Sequence, residues 1–251
     1  PMTIGADGQV VEIKIVDKYV RGNIHLTKVD SEYPDNKLTG ATFEVYKDSN
    51  ANGKLDDGDE LLGTLTEKEI GEYGMNDLFY GRYFVKETKA PEGFVLDTGV
   101  YEVMIDTNGK TYEVENKAGV GFINEAMRGN LKIVKTSSDG KAKGFAFRIT
   151  GANGYDIILE TNDKGEIFID GLRIGDYTIS EVSNSASSMY VIPADKKATV
   201  KIGSTTIVEM HNVLRDTPKT GDTTNLPLLY ALAGLSAVGI AVCGVIGFKK
   251  K

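Results

Sequence analysis

The stretch "RGNIHLTKVD", Arg21–Asp30, returns further along the chain as "RGNLKIVKTS", Arg128–Ser137, and its reading decides the fold. Apolar and polar side chains alternate in both copies, the period of two that places residues i, i+2 and i+4 on one face of a strand. Ile24 and Leu26 need a core, so Lys28 shares their face. Leu131 and Ile133 carry Lys135 inward in the same way. A strand that aims a lysine at its own core, twice, raises the question of what meets the amine.

The repetition extends outward from this strand. "GATFEVY" from Gly40 returns as "GFAFRIT" from Gly144, and "DLFYGRYFVKE", ending at Glu87, returns as "GLRIGDYTISE", ending at Glu181. "VGFINEAMRGN" from Val120 is echoed by "KIVDKYVRGN" from Lys14. Three copies of one module are therefore expected, the first represented by its last strand alone. Short runs of Val, Ile, Tyr, Phe and Thr, broken by Gly, Asn and Asp turns, predict an all-β chain of tandem immunoglobulin-like β-sandwich domains. The expected divisions are a remnant strand in 1–20, full domains at 21–127 and 128–214, and a linker at 215–225.

Composition narrows the function. A net charge of −7 argues against a nucleic-acid partner, which needs a basic face. The lone cysteine, Cys243, excludes an intramolecular disulfide and lies in an apolar run suited to packing. That run, Leu226–Phe248, holds no charged residue and is followed at once by Lys249, Lys250 and Lys251. It predicts a transmembrane helix over 226–248 with a basic cytoplasmic tail at 249–251, which places everything before it outside the cell. The chain then reads as a piece of a longer secreted precursor.

Strand parity gives the lysines company. Tyr83 and Val85 share a face with Glu87, Tyr177 and Ile179 with Glu181, Val120 and Phe122 with Asn124, and Val208 and Met210 with Asn212. The remnant strand has Val11, Ile13 and Ile15 on the face of Asp17. Each full repeat thus turns a Lys, a Glu and an Asn inward, and unpaired buried charge costs several kcal/mol, so the three must meet. One outcome is a buried ion pair with an asparagine hydrogen bond. The other is chemical: burial makes the amine easier to deprotonate and the carboxyl easier to protonate. A neutral amine held against a carboxamide can then attack it, expel ammonia and leave an amide, with proximity supplying most of the rate. His25 and His211 fall on the outward parity, and no Ser-His-Asp order, phosphate loop or Cys-His cluster appears, so catalysis on an external substrate is not expected.

The motifs "GNIHLTKVD", "GATFEVY", "GRYFVKETKAPEGF" and "GVGFINEAMRGN", in that order, resemble the Cna B-type (SpaA-like, prealbumin-like) domains of Gram-positive surface proteins and pilins. The resemblance spans Arg21 to about Leu214. It implies a prealbumin-like sandwich with an intramolecular isopeptide bond joining Lys28 to Asn124, with Glu87 as the catalytic carboxyl. It implies a second bond joining Lys135 to Asn212 with Glu181, although "EVSNSASSMYV" stands where "ETKAPEGF" is usual. The tail resembles a sortase cell-wall sorting signal. Pro218, Lys219, Thr220 and Gly221 match the LPXTG pattern, with Thr217 in place of Leu. This implies cleavage after Thr220 and linkage of Thr220 to peptidoglycan, from a membrane-spanning precursor, on the extracellular face of a Gram-positive cell wall.

One stretch belongs to neither pattern. "DSNANGKLDDGD" has the order of a calcium loop, with Asp48, Asn50, Asn52, the carbonyl of Lys54, Asp56 and Asp59 as ligands, yet strand-like runs rather than helices flank it. The second copy bridges the same place with "TGANGYD". A structural Ca2+ site is one expectation, a solvated acidic turn the other. Together these readings describe a sortase-anchored stalk presenting an N-terminal adhesive region that meets a host or surface ligand. A minor or anchoring pilin subunit is an alternative, though "EYPDN" has Asp35 where a polymerising lysine would stand. A wall anchor for a cell-surface hydrolase is the other.

Overall fold

Alternation along each strand leaves one apolar face to bury, and two such faces packed together make a sandwich. The computed structural model describes residues 5, 7, 8, 10, 12 and 14–216 and contains two of them. In the first, β1 (Arg21–Asp30), β4 (Thr66–Glu69), β5 (Glu72–Phe79), β8 (Thr111–Glu113) and β9 (Phe122–Asn124) form one sheet, ordered β4-β5-β1-β8 with β9 also on β1. Facing it lies β3-β2-β6-β7, from β2 (Thr42–Lys47), β3 (Glu60–Thr64), β6 (Gly81–Lys89) and β7 (Val100–Ile105). Ile24, Leu26, Tyr73 and Phe122 meet Phe43, Val45, Tyr83 and Val85 between them.

The second sandwich repeats the plan. β10 (Arg128–Ser137), β13 (Glu166–Arg173), β15 (Tyr190–Val191) and β17 (Thr205–Leu214) make one sheet. β11 (Ala146–Thr150), β12 (Asp156–Glu160), β14 (Gly175–Val182) and β16 (Lys196–Val200) make the other. Local devices recur as well: β1–β5 and β10–β13 each slip register at the Gly-Asn pair, between Gly22 and Ile24 and between Gly129 and Leu131. Tyr83 donates to the Phe79 carbonyl at 2.7 Å and Tyr177 to the Arg173 carbonyl at 2.9 Å, so each buried phenol pins the turn into its strand.

The first and last strands of each domain run parallel side by side. Lys28 faces Phe122 and Asp30 faces Asn124 across β1–β9, while Lys135 faces Met210 and Ser137 faces Asn212 across β10–β17. Gly121 lets β9 come this close, since a Cβ there would sit 2.8 Å from the Thr27 carbonyl oxygen.

Only Glu125–Met127 separates β9 from β10, and a charged joint spans the gap. Arg173, at the end of β13, donates to both Asp30 oxygens at 2.6 and 2.7 Å and to Glu32 at 2.9 and 3.1 Å. Its guanidinium lies 4.8 Å from the Tyr33 ring centre, a cation–π contact. Arg128 pairs with Glu32 beside it.

Two expectations meet the structure differently. Of the remnant strand expected in 1–20, the described residues 14–20 carry no strand, and Ile15, Val16 and Tyr19 are exposed, since a strand needs ladder partners. Val120 sits in a turn before β9, so the inward face of that segment begins at Phe122. The sorting motif Thr217–Gly221, the apolar run 226–248 and the tail 249–251 lie outside the described residues. Among those described, no helix is long and apolar enough to cross a membrane.

Candidate functional site

Because β1, β6 and β9 each present alternate residues to one core, Lys28, Glu87 and Asn124 arrive at the same buried place. Their exposures are 0%, 0% and 3%. Lys28 Nζ donates to the Phe122 carbonyl at 2.9 Å and lies 4.0 Å from Glu87 Oε1. Glu87 Oε2 accepts from Asn124 Nδ2 at 2.8 Å and from the Asp97 backbone N–H at 2.8 Å. Asn124 Nδ2 also donates to the Val95 carbonyl.

Burial governs the electrostatics. Desolvation pulls the Lys28 ammonium down to about 8, against the opposing pull of the Glu87, Asp97 and Asp30 carboxylates. Desolvation also pushes the Glu87 carboxyl up, more than its hydrogen bonds from Asn124 and Asp97 and its attraction to Lys28 pull it down. Both shifts favour the neutral pair over the ionised one.

The second domain gathers Lys135, Glu181 and Asn212, which are 1%, 8% and 0% exposed. Asn212 Nδ2 donates to Glu181 Oε1 at 2.6 Å. Lys135 Nζ instead donates to the Thr136 carbonyl and lies 4.0 Å from the Phe145 ring centre, and no ion pair to Glu181 forms. Desolvation again lowers the lysine and raises the glutamate.

Both sites share an anomaly. Glu87 Oε1 and Asn124 Oδ1, and their counterparts Glu181 Oε2 and Asn212 Oδ1, are buried with no hydrogen-bond partner. Orphaned buried oxygens are costly in a finished core and mark places where chemistry or a proton is expected. A protonated glutamate removes half of the difficulty, since its O–H becomes a donor. The asparagine oxygen is where negative charge gathers when an amine adds to its carbonyl carbon.

The acidic loop closes upon itself. Asp48, whose side chain is 2% exposed, accepts the N–H groups of Asn52 and Gly53 at 3.1 Å each and meets Arg82 at 3.4 Å. Asn50 and Asn52 accept from the second residue onward, Asn52 and Lys54, at 3.1 and 2.8 Å, and donate their amides to Asp56. Asp59 receives Ser49 and Asp56 N–H groups at 3.1 and 3.0 Å. The five side chains of the expected set thus bond to the loop's own N–H and amide groups, Asp56 facing nitrogen donors of Asn50 and Asn52. Among the described residues, no group of three or more His, Cys, Asp or Glu is placed to hold a metal.

Strand parity did not single out Asp97, Asn116, Asp30 or Arg173. Only Asp30 left a signal, because it shares the face of Lys28.

Residues 22–118 and 129–214 match the family described as SpaA: Prealbumin-like fold domain. The trypsin-resistant surface T6 protein of Streptococcus pyogenes serotype M6 is 26% identical over 204 residues, covering 69% of this chain and 35% of that protein. Among solved structures, the Bacillus anthracis TIE protein superposes with a TM-score of 0.58 at 25% identity, over 77% of this chain and 34% of the other. GBS52, the minor pilin of Streptococcus agalactiae, aligns with 80% of this chain and 99% of its own at 19% identity and a TM-score of 0.37. The chain spans about a third of the length of the first two relatives, 35% and 34%.

Proposed function

The chain belongs to the SpaA prealbumin-like fold domain family, and from that premise we propose that each domain locks itself with an amide between its core lysine and asparagine. The observation that carries this reading is the buried triad with its two orphaned oxygens, present in both domains. Proton transfer from Lys28 to Glu87 gives a neutral amine and a carboxylic acid. The Nζ lone pair adds to Asn124 Cγ, and the proton shed by Nζ passes through the Glu87 carboxyl to Nδ2. The Cγ–Nδ2 bond then breaks. Ammonia leaves and one hydrogen remains on the new amide; Glu87 is ionised again once ammonia takes its proton to solvent. Lys135, Glu181 and Asn212 follow the same course. Intact mass should fall short of the sequence mass by two ammonia molecules, one mapped to each domain. A full sequence mass would leave the triads as unlinked buried polar clusters.

The wider role rests on sequence and kinship. The two domains act as a cell-surface stalk, joined to the Gram-positive wall by sortase through Thr220 and holding an N-terminal adhesive region outward. The Pro218–Gly221 motif ahead of an apolar run and three lysines supports this, as does likeness to a streptococcal surface protein. Thr220→Ala should move the protein from the wall fraction to the membrane and medium. Undiminished wall linkage would sink the assignment.

The acidic loop is proposed to take up one Ca2+ weakly. Asp48, Asn50, Asn52 and Asp59 keep free lone pairs beside their backbone bonds, while Asp56 would exchange amide donors for the ion. Calcium at millimolar concentration should raise the first domain's melting temperature by a few degrees, since a ligand of the folded form alone stabilises it. Asp48→Ala should erase the rise. Insensitivity of the unsubstituted protein would make the loop a closed turn.

A further inference from the structure

The strand that carries the reactive asparagine is built differently in the two domains. In the second, β17 is continuous and pairs with β10 from Asn130↔Thr205 to Ser137↔Asn212. In the first, the same strand is broken into β8 and β9, and β9 holds β1 only from Lys28↔Phe122 to Asp30↔Asn124. So short a ladder leaves Asn124 at a strand end that would fray, unless something else holds it.

Two side chains do. Asn116 Oδ1 accepts the Ile123 N–H at 2.6 Å and its Nδ2 donates to the Ile123 carbonyl at 2.8 Å, gripping the neighbour of Asn124 as a partner strand would. The same Nδ2 donates to Asp97 Oδ2 at 2.7 Å, which also accepts from Tyr101 at 2.9 Å. Asp97 Oδ1 caps the Gly99 N–H at 2.6 Å, and the Asp97 backbone N–H donates to Glu87 Oε2 at 2.8 Å. One residue therefore orients the carboxyl through its backbone and the asparagine strand through its side chain. A cavity of about 320 Å³, lined by Asp97, Tyr101, Asn116 and Asn124 among others, opens beside them.

We propose that Asp97 and Asn116 are positioning residues for the Lys28–Asn124 amide, and that the second domain forms its amide without such a pair. The proposal rests on the amide reading above. In the second domain Glu181 accepts from Asn212 alone, with no backbone N–H like that of Asp97, and the β10 and β15 ladders carry the strand of Asn212.

Charge adds a signature that mere structural support lacks. The groups facing the site are Lys28 and Asp30 from β1, Glu87 from β6, Asp97 from the β6–β7 connection and Tyr101 from β7, with Arg173 neutralising Asp30 from the next domain; Phe122 and Asn124 of β9 are uncharged. The Asp97 carboxylate raises both Lys28 and Glu87. The reactive pair holds one proton between the two groups. Removing the Asp97 charge should therefore shift both edges of the reactive pH range downward.

The test uses the full chain made by cell-free synthesis, stopped and then followed by intact mass, with proteolytic mapping of each ammonia loss. Asp97→Asn and Asn116→Ala should slow the loss in the first domain by roughly ten- to a hundredfold, the scale of a small misplacement of reacting groups. The second domain serves as the internal control and should keep its rate. Asp97→Asn should also move the pH range down, whereas Asn116→Ala should leave it in place. If Asn116→Ala leaves the first domain protease-sensitive, the near-isosteric Asp97→Asn decides. Unchanged first-domain rates in a folded variant overturn the positioning role while leaving the amide standing. Absence of any first-domain loss in the unsubstituted chain overturns both.

Discussion

Glu87→Ala is expected to leave the first domain without its amide and to lower its melting temperature by roughly 20 °C or more. The cross-link would close a loop running from Lys28 to Asn124. By the chain-entropy argument used for disulfides, a loop of about a hundred residues contributes about 4–5 kcal/mol by restricting the unfolded chain. For a domain of this size each kcal/mol moves the midpoint by about 4–8 °C. Scanning calorimetry with intact mass decides the matter, because the variant should retain one ammonia that the unsubstituted chain has lost. Glu181→Ala should do the same to the second domain alone. Were the triads left unlinked, neither substitution would alter ammonia content. Retained ammonia loss in Glu87→Ala would remove Glu87 from the reaction.

Arg173→Ala is expected to destabilise the first domain although the residue belongs to the second. Asp30 is 2% exposed and gives both oxygens to this guanidinium, so the substitution strands a buried carboxylate. Breaking a buried pair costs about 3–5 kcal/mol, and entry of water into the vacated joint favours the low end, about 3 kcal/mol. The first-domain transition should fall by about 12–24 °C. Small-angle scattering should also show the two domains swinging apart, since Glu125–Met127 is the chain connection left beside Arg128 and Glu32. Arg173→Lys should restore little, because an ammonium cannot span both Asp30 oxygens and Glu32 together. An unmoved transition would mean that the joint adds nothing to the fold of the first domain.

Strand parity made much of this legible. Lys28, Glu87, Lys135, Glu181 and Asn212 sit on strands long enough for alternation to assign a face, and that face is buried. Asn124 ends a strand of three residues, so its placement owes more to the repeat than to its own pattern. Asp97 and Asn116 were silent because they act from connections, where a side chain mimics a missing ladder and no period marks it. Arg173 reaches a carboxylate far back along the chain, in another domain, and periodicity carries no information about such a meeting. Residues 14–20 have strand-like alternation, yet among the described residues no strand pairs with them.

The side-by-side parallel course of the first and last strands has a mechanical consequence. Tension applied to the chain ends enters the first domain along β1 and leaves along β9, shearing one ladder rather than peeling it. With the proposed amide in place, the load passes from Lys28 straight to Asn124, and residues 29–123 carry none of it. At about 3.3–3.6 Å per extended residue, that withholds on the order of 300 Å of slack from a pulled stalk. The acidic loop, within the bypassed stretch and away from the triad, is shielded from the pull and can be lengthened or reshaped without weakening the tether.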